Sequence, residues 1–159
     1  RVIKAFAYSK INDYKLIFVG PFDKRHTPIL LKLIDKHNIR HLCVWKGWID
    51  DDEKLSLLNE CQALIIASLW EGFGLPALEA MACGTPVIAS DRGALREVMG
   101  NYGYFINPFN IQSIACAMNA VINDKKCFEK ALQEGPSRAE SFNWLDTART
   151  IEKIIQEID

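Results

Sequence analysis

A glycine-rich run between two glutamates is the part of this 159-residue chain best suited to chemistry. From the first glutamate to the second it reads Glu71-Gly72-Phe73-Gly74-Leu75-Pro76-Ala77-Leu78-Glu79. Gly72 and Gly74 permit unusual backbone angles and a close approach, so amide N–H groups can point at ligand oxygens. Pro76 favours the first turn of a helix, because its missing N–H would be unpaired there. We therefore predict a helix that begins at about Leu75 and presents its positive end to the loop, where a phosphate can bind.

The two carboxylates add a second kind of recognition. We place Glu79 in the first turn of the predicted helix, where its side chain leans back toward the N-terminus and reaches the same cavity. A carboxylate there can accept two hydroxyls, such as those of a ribose. Glu71 enters from the end of the preceding strand and can bind sugar hydroxyls or stabilise positive charge at an anomeric carbon. Phosphate, ribose and sugar groups together describe a nucleotide sugar.

Part of this pattern has a simpler explanation. A Gly-x-Gly run before a helix with acidic residues is common capping chemistry and does not by itself indicate a ligand. Here the run occurs together with the second glutamate and with a following apolar segment, residues 80–88, that leads into a predicted strand. This combination argues against a chance match and favours a ligand site.

Short β-rich runs alternate with helical patterns from residue 15 onward, as in βαβ units with a parallel sheet covered on both faces. The predicted strands are residues 15–19, 42–45, 63–67, 86–89 and 104–106. The predicted helices, after an initial helical segment at 1–9, are residues 27–38, 52–60, 75–83, 94–99, 111–122, 125–140 and 143–157. The fold class is therefore α/β, a doubly wound Rossmann-like parallel sheet with helices on both faces.

Such sheets bind ligands outside the carboxyl ends of their strands. The loops at those ends are residues 20–26, 46–51, 68–75, 90–93 and 107–110. The last predicted helix carries Ile151, Ile154, Ile155 and Ile158 at helical spacing, which is more typical of core or of a docking surface than of a site. We therefore look for function in the loops.

The segment from Glu71 to Glu79 resembles the two-glutamate motif of the family 4 retaining glycosyltransferases, whose two Rossmann-like domains face a cleft in the GT-B arrangement. Shorter matches flank it in the same order along the chain: Phe18-Val19-Gly20, Val44, Gly47, Ser90-Asp91-Arg92-Gly93, Glu97-Val98, Asn107-Pro108 and Phe142-Asn143-Trp144. The resemblance implies that residues 1–159 form a single nucleotide-sugar-binding domain, the C-terminal, donor-binding half of such an enzyme.

The resemblance also implies a role for each residue of the motif. Glu79 would bind the ribose hydroxyls, and Glu71, the candidate catalytic residue, would contact the donor sugar. Leu75 would lie near the ribose and base, and the loop at Trp48 and Ile49 would border the base. The backbone amides that would meet the sugar and diphosphate are those of Gly72, Phe73 and Gly74.

Two parts of the family pattern are missing from the chain. The donor half of the family begins with one more strand and a loop whose Arg and Lys neutralise the diphosphate, and these would precede Arg1. The acceptor-binding domain would precede Arg1 as well, and the first helical segment has no N-cap. We therefore expect a C-terminal piece of a longer two-domain enzyme, which binds donor weakly and does not transfer sugar alone.

Composition excludes several classes of function. The 19 basic and 20 acidic residues nearly cancel, and no basic block interleaves with aromatics, so a nucleic-acid partner is not expected. Five widely spaced cysteines without a Cys-x-x-Cys pair favour neither disulfides nor a zinc site, and they fit a reducing cytoplasm. No apolar run reaches the ~20 residues of a membrane span. Membrane contact, and hence a peripheral location, would come only through the missing domain.

Three other candidate sites have simpler explanations. Asp50-Asp51-Asp52 suggests a metal, but N-capping of the helix that follows explains the run, and no metal is expected. A nicotinamide site is disfavoured, because Gly72-Phe73-Gly74 lacks the third glycine of the dinucleotide fingerprint. Arg92 follows the fourth strand, where it can touch phosphate or form a surface salt bridge.

The expected reaction moves a sugar from a nucleoside diphosphate to an acceptor hydroxyl with retention at the anomeric carbon. The leaving diphosphate would be stabilised by the helix end and cationic groups, without cofactor or metal. One alternative is a related sugar phosphorylase or sucrose-synthase type of reaction at the same half-site. Another is a non-catalytic nucleotide-binding module that keeps the shape of the site.

Overall fold

The computed structural model describes residues 1–158 and shows an α/β fold. Its strands are β1 (Leu16–Val19), β2 (Cys43–Gly47), β3 (Leu64–Ile66), β4 (Val87–Ser90) and β5 (Tyr104–Ile106). Its helices are α1 (Val2–Ser9), α2 (Thr27–Lys36), α3 (Asp51–Glu60), α4 (Leu75–Ala82), α5 (Leu95–Met99), α6 (Ile111–Asn123), α7 (Lys125–Glu140) and α8 (Trp144–Ile158). The predicted bounds agree within two residues. A 3₁₀ turn at Arg40–Leu42 escaped prediction because it has no apolar periodicity of its own.

Every strand pair in the described chain is parallel, but the strands do not form one continuous sheet. β1 pairs with β2, while β4 lies between β3 and β5 in a separate sheet. The predicted α/β class with parallel strands is confirmed, and the pairing divides the five strands between two sheets. Sequence pattern identifies strands from their own residues, but it carries no signal for which strand edges are hydrogen-bonded to each other.

Helices cover both faces of the strands, as a doubly wound fold requires. The central strand β4 is fully buried and alternates between two apolar clusters. Ile88 joins a cluster that contains side chains of α1, α2 and α6. Val87 and Ala89 join the opposite cluster, which contains side chains of α4, α5 and α7. Because the first cluster also includes Leu16 of β1, the two sheets share one core.

Helix α8 contributes nothing to this core. None of its 15 residues is buried, although four isoleucines lie along one face. Of the two predicted roles, core is wrong and a docking surface remains a prediction. No helix among residues 1–158 has the length and apolar character needed to cross a membrane.

Candidate functional site

The loop between β3 and α4, residues 67–74, carries the first glutamate and both glycines of the predicted site. It follows the carboxyl end of β3, where a doubly wound sheet is expected to bind ligands. Glu71 is half-buried, whereas Gly72 and Phe73 are exposed. The ring of Phe73 packs edge-on against Phe142, with centroids 5.9 Å apart. This packing holds the ring of Phe73 against Phe142.

The backbone of Glu71 is held by the loop after β4. The N–H of Ala94 donates to the carbonyl oxygen of Glu71 at 3.2 Å. Gly93, at φ +59°, lies so close that an added Cβ would stand 2.6 Å from that oxygen. Two neighbouring loops at the same sheet edge therefore form one unit, and the carboxylate of Glu71 takes no part in these contacts.

The N-terminus of α4 is open to a ligand in the way the glycines and proline predict. Gly74 is the N-cap residue at φ +98°, and within residues 1–158 no side chain caps this end. Pro76 lacks an N–H, and the N–H of Ala77 bonds back to the Gly74 carbonyl at 2.9 Å. The donors left for an anion are therefore the loop amides and the amide of Leu75, a residue whose side chain is itself exposed.

Glu79 lies one turn further along α4 than predicted. It is the fifth residue of a helix that begins at Leu75, and a turn holds only 3.6 residues, so its placement in the first turn is wrong. Its carboxylate points toward α3, where Oε1 accepts a hydrogen bond from Lys54 Nζ at 3.0 Å. The side chain remains 40% exposed, so it can still be reached from solvent.

Lys54 is a residue of the site region that the sequence did not reveal. Its ammonium contacts Glu79 and, also at 3.0 Å, Asp51 Oδ1 one turn earlier in α3. The hydrogen bond with Glu79, followed by that with Asp51, raises the pKa of Lys54 above its ordinary value. The i,i+3 spacing of Asp51 and Lys54 was visible in the sequence. The contact with Glu79, 25 positions away, requires the fold.

Trp48 and Ile49 lie in the loop that joins β2 to α3. Trp48 is 83% exposed and Ile49 is half-buried. The loop is anchored before Trp48 by the N–H of Gly20, which donates to the carbonyl of Gly47 at 2.8 Å. An exposed indole on a fixed loop suits stacking against a planar ring, so the predicted place of this loop at a base stays a prediction.

Two further predicted features now have a structural setting. Asp50 Oδ1 accepts from the N–H of Glu53 at 2.8 Å, so the predicted N-cap of α3 is confirmed. The guanidinium of Arg92 lies 4.9 Å from the centre of the Phe109 ring. Within the described chain, no three His, Cys, Asp or Glu side chains group together as metal ligands would.

Comparison with known proteins gives a consistent result. The sequence model of the family described as "Glycosyl transferases group 1" matches residues 1–138. The serotype-specific mannosyltransferase WbdA of Escherichia coli is 32% identical over 136 residues, which cover 85% of this chain and 17% of that protein. The chain therefore spans only about a sixth of this relative.

Solved structures show the same fold. Sucrose-phosphate synthase from Thermosynechococcus elongatus superposes with a TM-score of 0.85 at 25% identity, over 99% of this chain and 42% of that one. The C-terminal domain of LpcC, a glycosyl transferase group 1 family protein from Francisella tularensis, superposes with a TM-score of 0.76 at 30% identity. That match covers 87% of this chain and 75% of the LpcC domain.

Proposed function

This chain belongs to the group 1 glycosyl transferases, and from that premise we propose that it supplies the donor-binding half of a family 4 retaining enzyme. The intact protein would move a sugar from a nucleoside diphosphate to an acceptor hydroxyl and keep the anomeric configuration. One observation carries the proposal. The uncapped N-terminus of α4 lies between Glu71 and Glu79, next to the carboxyl end of β3.

Each group of the predicted site fits one part of a nucleotide sugar. Glu71 faces the sugar, and the free oxygen of Glu79 accepts ribose hydroxyls. Trp48 and Ile49 border the base, with Leu75 between base and ribose. The diphosphate is held by the backbone amides of Gly72, Phe73, Gly74 and Leu75.

Catalysis rests on departure of the nucleoside diphosphate. The bond between the anomeric carbon and the phosphate oxygen breaks, and the acceptor oxygen bonds to the same face of that carbon. The acceptor proton passes to a donor phosphate oxygen, and the helix end stabilises the negative charge on the leaving group. Glu71 orients the sugar and offsets positive charge at its ring. We expect neither metal nor cofactor, because α4 and cationic groups supply the positive potential.

The rest of the enzyme lies outside this chain. Because the chain covers 42% of sucrose-phosphate synthase and 17% of WbdA, an acceptor-binding domain fits in the uncovered part. We propose that this domain precedes residue 1, that any membrane contact is made through it, and that the enzyme works in the cytoplasm. The isolated chain would bind donor and transfer no sugar.

The test uses the full-length protein. Isothermal calorimetry with UDP, GDP and ADP, and with their sugars, should find at least one ligand that binds below millimolar concentration. For the donor that binds, Glu71→Gln should lower kcat by about 10²- to 10³-fold, since a charge near the reacting carbon is lost. Glu60→Gln, a change at an exposed glutamate at the end of α3, is the control and should leave kcat within twofold of wild type.

The reaction products test the retention of configuration and the type of reaction. Proton NMR of the first-formed glycoside should show the donor's anomeric configuration, and inversion would contradict the retaining assignment. Turnover with inorganic phosphate as acceptor would indicate a phosphorylase, and turnover with fructose a sucrose-synthase type of enzyme. Binding without any transfer would indicate a non-catalytic module, and failure of every nucleotide to bind would overturn the proposal.

A further inference from the structure

Lys54 links α3 to the glutamate that we assign to ribose. Its Nζ lies 3.0 Å from Glu79 Oε1 and 3.0 Å from Asp51 Oδ1. Lys54 is the only basic side chain within residues 1–158 that pairs with Glu79. The contact uses one carboxylate oxygen and leaves Oε2 for a second hydrogen-bond donor, since an ionised carboxylate accepts hydrogen bonds at both oxygens.

The helix that carries Lys54 is fixed against α4. Leu58, one turn after Lys54 and on the same face, is buried in a cluster with Ala77 and Ala80 of α4. The carbonyl of Leu58 accepts a hydrogen bond from Thr85 Oγ1 at 2.6 Å. The ammonium therefore reaches Glu79 from a helix that is packed and hydrogen-bonded in place.

We propose that Lys54 is a positioning residue for nucleotide binding: it holds the Glu79 carboxylate in one orientation, with Oε2 directed to the two ribose hydroxyls. This inference rests on the proposed function. A glutamate side chain that moves freely loses rotamer entropy when a ligand fixes it. A partner that fixes the side chain beforehand removes part of that cost from binding. Asp51 contributes indirectly, because its contact with Lys54 Nζ orients the ammonium toward Glu79.

The chain contains a matched control. Lys46, the fourth residue of β2, forms an ion pair with Glu53 of α3 at 2.6 Å. The side chains of this pair are 37% and 40% exposed, against 38% and 40% for Lys54 and Glu79. Both lysines carry the same charge and pair with an acidic residue of a neighbouring helix. Only Lys54 touches Glu79, so a difference between Lys54→Met and Lys46→Met reports on that contact.

The experiment is calorimetry on the full-length protein with the nucleoside diphosphate that wild type binds best. The second ligand is its 2′,3′-dideoxy counterpart, and the third is inorganic pyrophosphate. Lys54→Met should weaken the ribonucleotide by about 3- to 10-fold, in line with the loss of a half-exposed ion pair. The dideoxy compound and pyrophosphate should change by less than twofold, because they offer Glu79 no hydroxyls. Lys46→Met should stay within twofold of wild type for all three ligands.

Two further variants separate positioning from folding or charge. Lys54→Arg keeps a positively charged hydrogen-bond donor beside Glu79 and should recover most of the lost nucleotide affinity. Glu79→Gln combined with Lys54→Met should be no weaker than Glu79→Gln alone, because the lysine acts through the glutamate. In steady-state kinetics, Lys54→Met should raise KM for the donor and leave kcat unchanged. Circular dichroism checks folding, and Lys54→Gln replaces any variant that does not fold.

The outcomes distinguish two kinds of failure. If wild type and Glu79→Gln bind the ribonucleotide equally, the proposed role of Glu79 fails and this inference fails with it. If Glu79→Gln weakens binding and Lys54→Met does not, the donor site stands and Lys54 is only a surface ion pair. Equal losses for ribonucleotide and pyrophosphate would assign Lys54 to general electrostatics and would overturn the positioning role.

Discussion

The two glutamates of the site are held in different ways. The backbone of Glu71 is fixed by a hydrogen bond from Ala94 and by close packing on Gly93, and its carboxylate is not involved. Glu79 is fixed through its carboxylate, which Lys54 contacts at 3.0 Å. The residue that we propose faces the reacting sugar is thus placed through its backbone, while the residue that we propose binds ribose hydroxyls is held by an ion pair of its side chain. The first arrangement should respond to added side-chain volume and the second to charge.

The largest expected effect is on the Glu71 side. In Gly93→Ala the new Cβ would meet the Glu71 oxygen at 2.6 Å and its nitrogen at 3.1 Å, both backbone atoms, at a φ of +59°. Strain and the lost hydrogen bond should lower the free energy of unfolding by about 3 kcal/mol, measured by urea denaturation of the 159-residue chain. Gly72→Ala is the control, because no atom lies within 4 Å of its Cβ. Equal stability of the two variants would show that this packing does not hold the loop.

A smaller effect is expected at the N-cap of α4. In Gly74→Ala the new Cβ would approach Leu95 Cδ2 at 2.7 Å, and φ is +98°. The neighbour is the end of a flexible side chain, so it can shift, and about 2 kcal/mol of lost stability is expected. Because the amides beside Gly74 would move, nucleotide affinity should fall as well, as measured by calorimetry. A variant with reduced stability and unchanged affinity would argue that these amides do not bind the diphosphate.

The contact between Lys54 and Glu79 depends on how α3 packs against α4. Thr85→Val removes the buried hydroxyl that donates to the Leu58 carbonyl at 2.6 Å and leaves that oxygen without its partner. Thermal unfolding should give a loss of about 1 to 2 kcal/mol. Donor binding should weaken through Lys54 and Glu79, while the Ala94 amide should keep its protection from hydrogen exchange. Loss of protection at Ala94 would mean that the two sides of the site are not independent.

How far sequence predicts this arrangement depends on the range of each interaction. The helix at Leu75 and the cap at Asp50 follow from neighbours within four residues, and both agree with the structure. The contacts of Gly93 with Glu71 and of Lys54 with Glu79 span more than 20 residues, so no local pattern encodes them. The division of the strands into two sheets was missed for the same reason, since the fold decides which strand edges pair.

The smallest effect concerns protonation on the Glu79 side. The pKa of Lys54 is raised, chiefly by its hydrogen bond with Glu79 and then by that with Asp51. A lysine whose folded pKa is raised contributes stability that is complete below its ordinary pKa and lost as pH rises through the folded value. The ammonium resonance of Lys54, followed by ¹⁵N NMR, should therefore titrate at lower pH in Glu79→Gln than in wild type. Asp51→Asn should lower it less, because Asp51 is the smaller cause, and Glu53→Gln, a change in the Lys46 pair, should leave it unchanged. If Asp51→Asn has the larger effect, Lys54 belongs mainly to its own helix, and the Glu79 carboxylate is then not held by the ion pair.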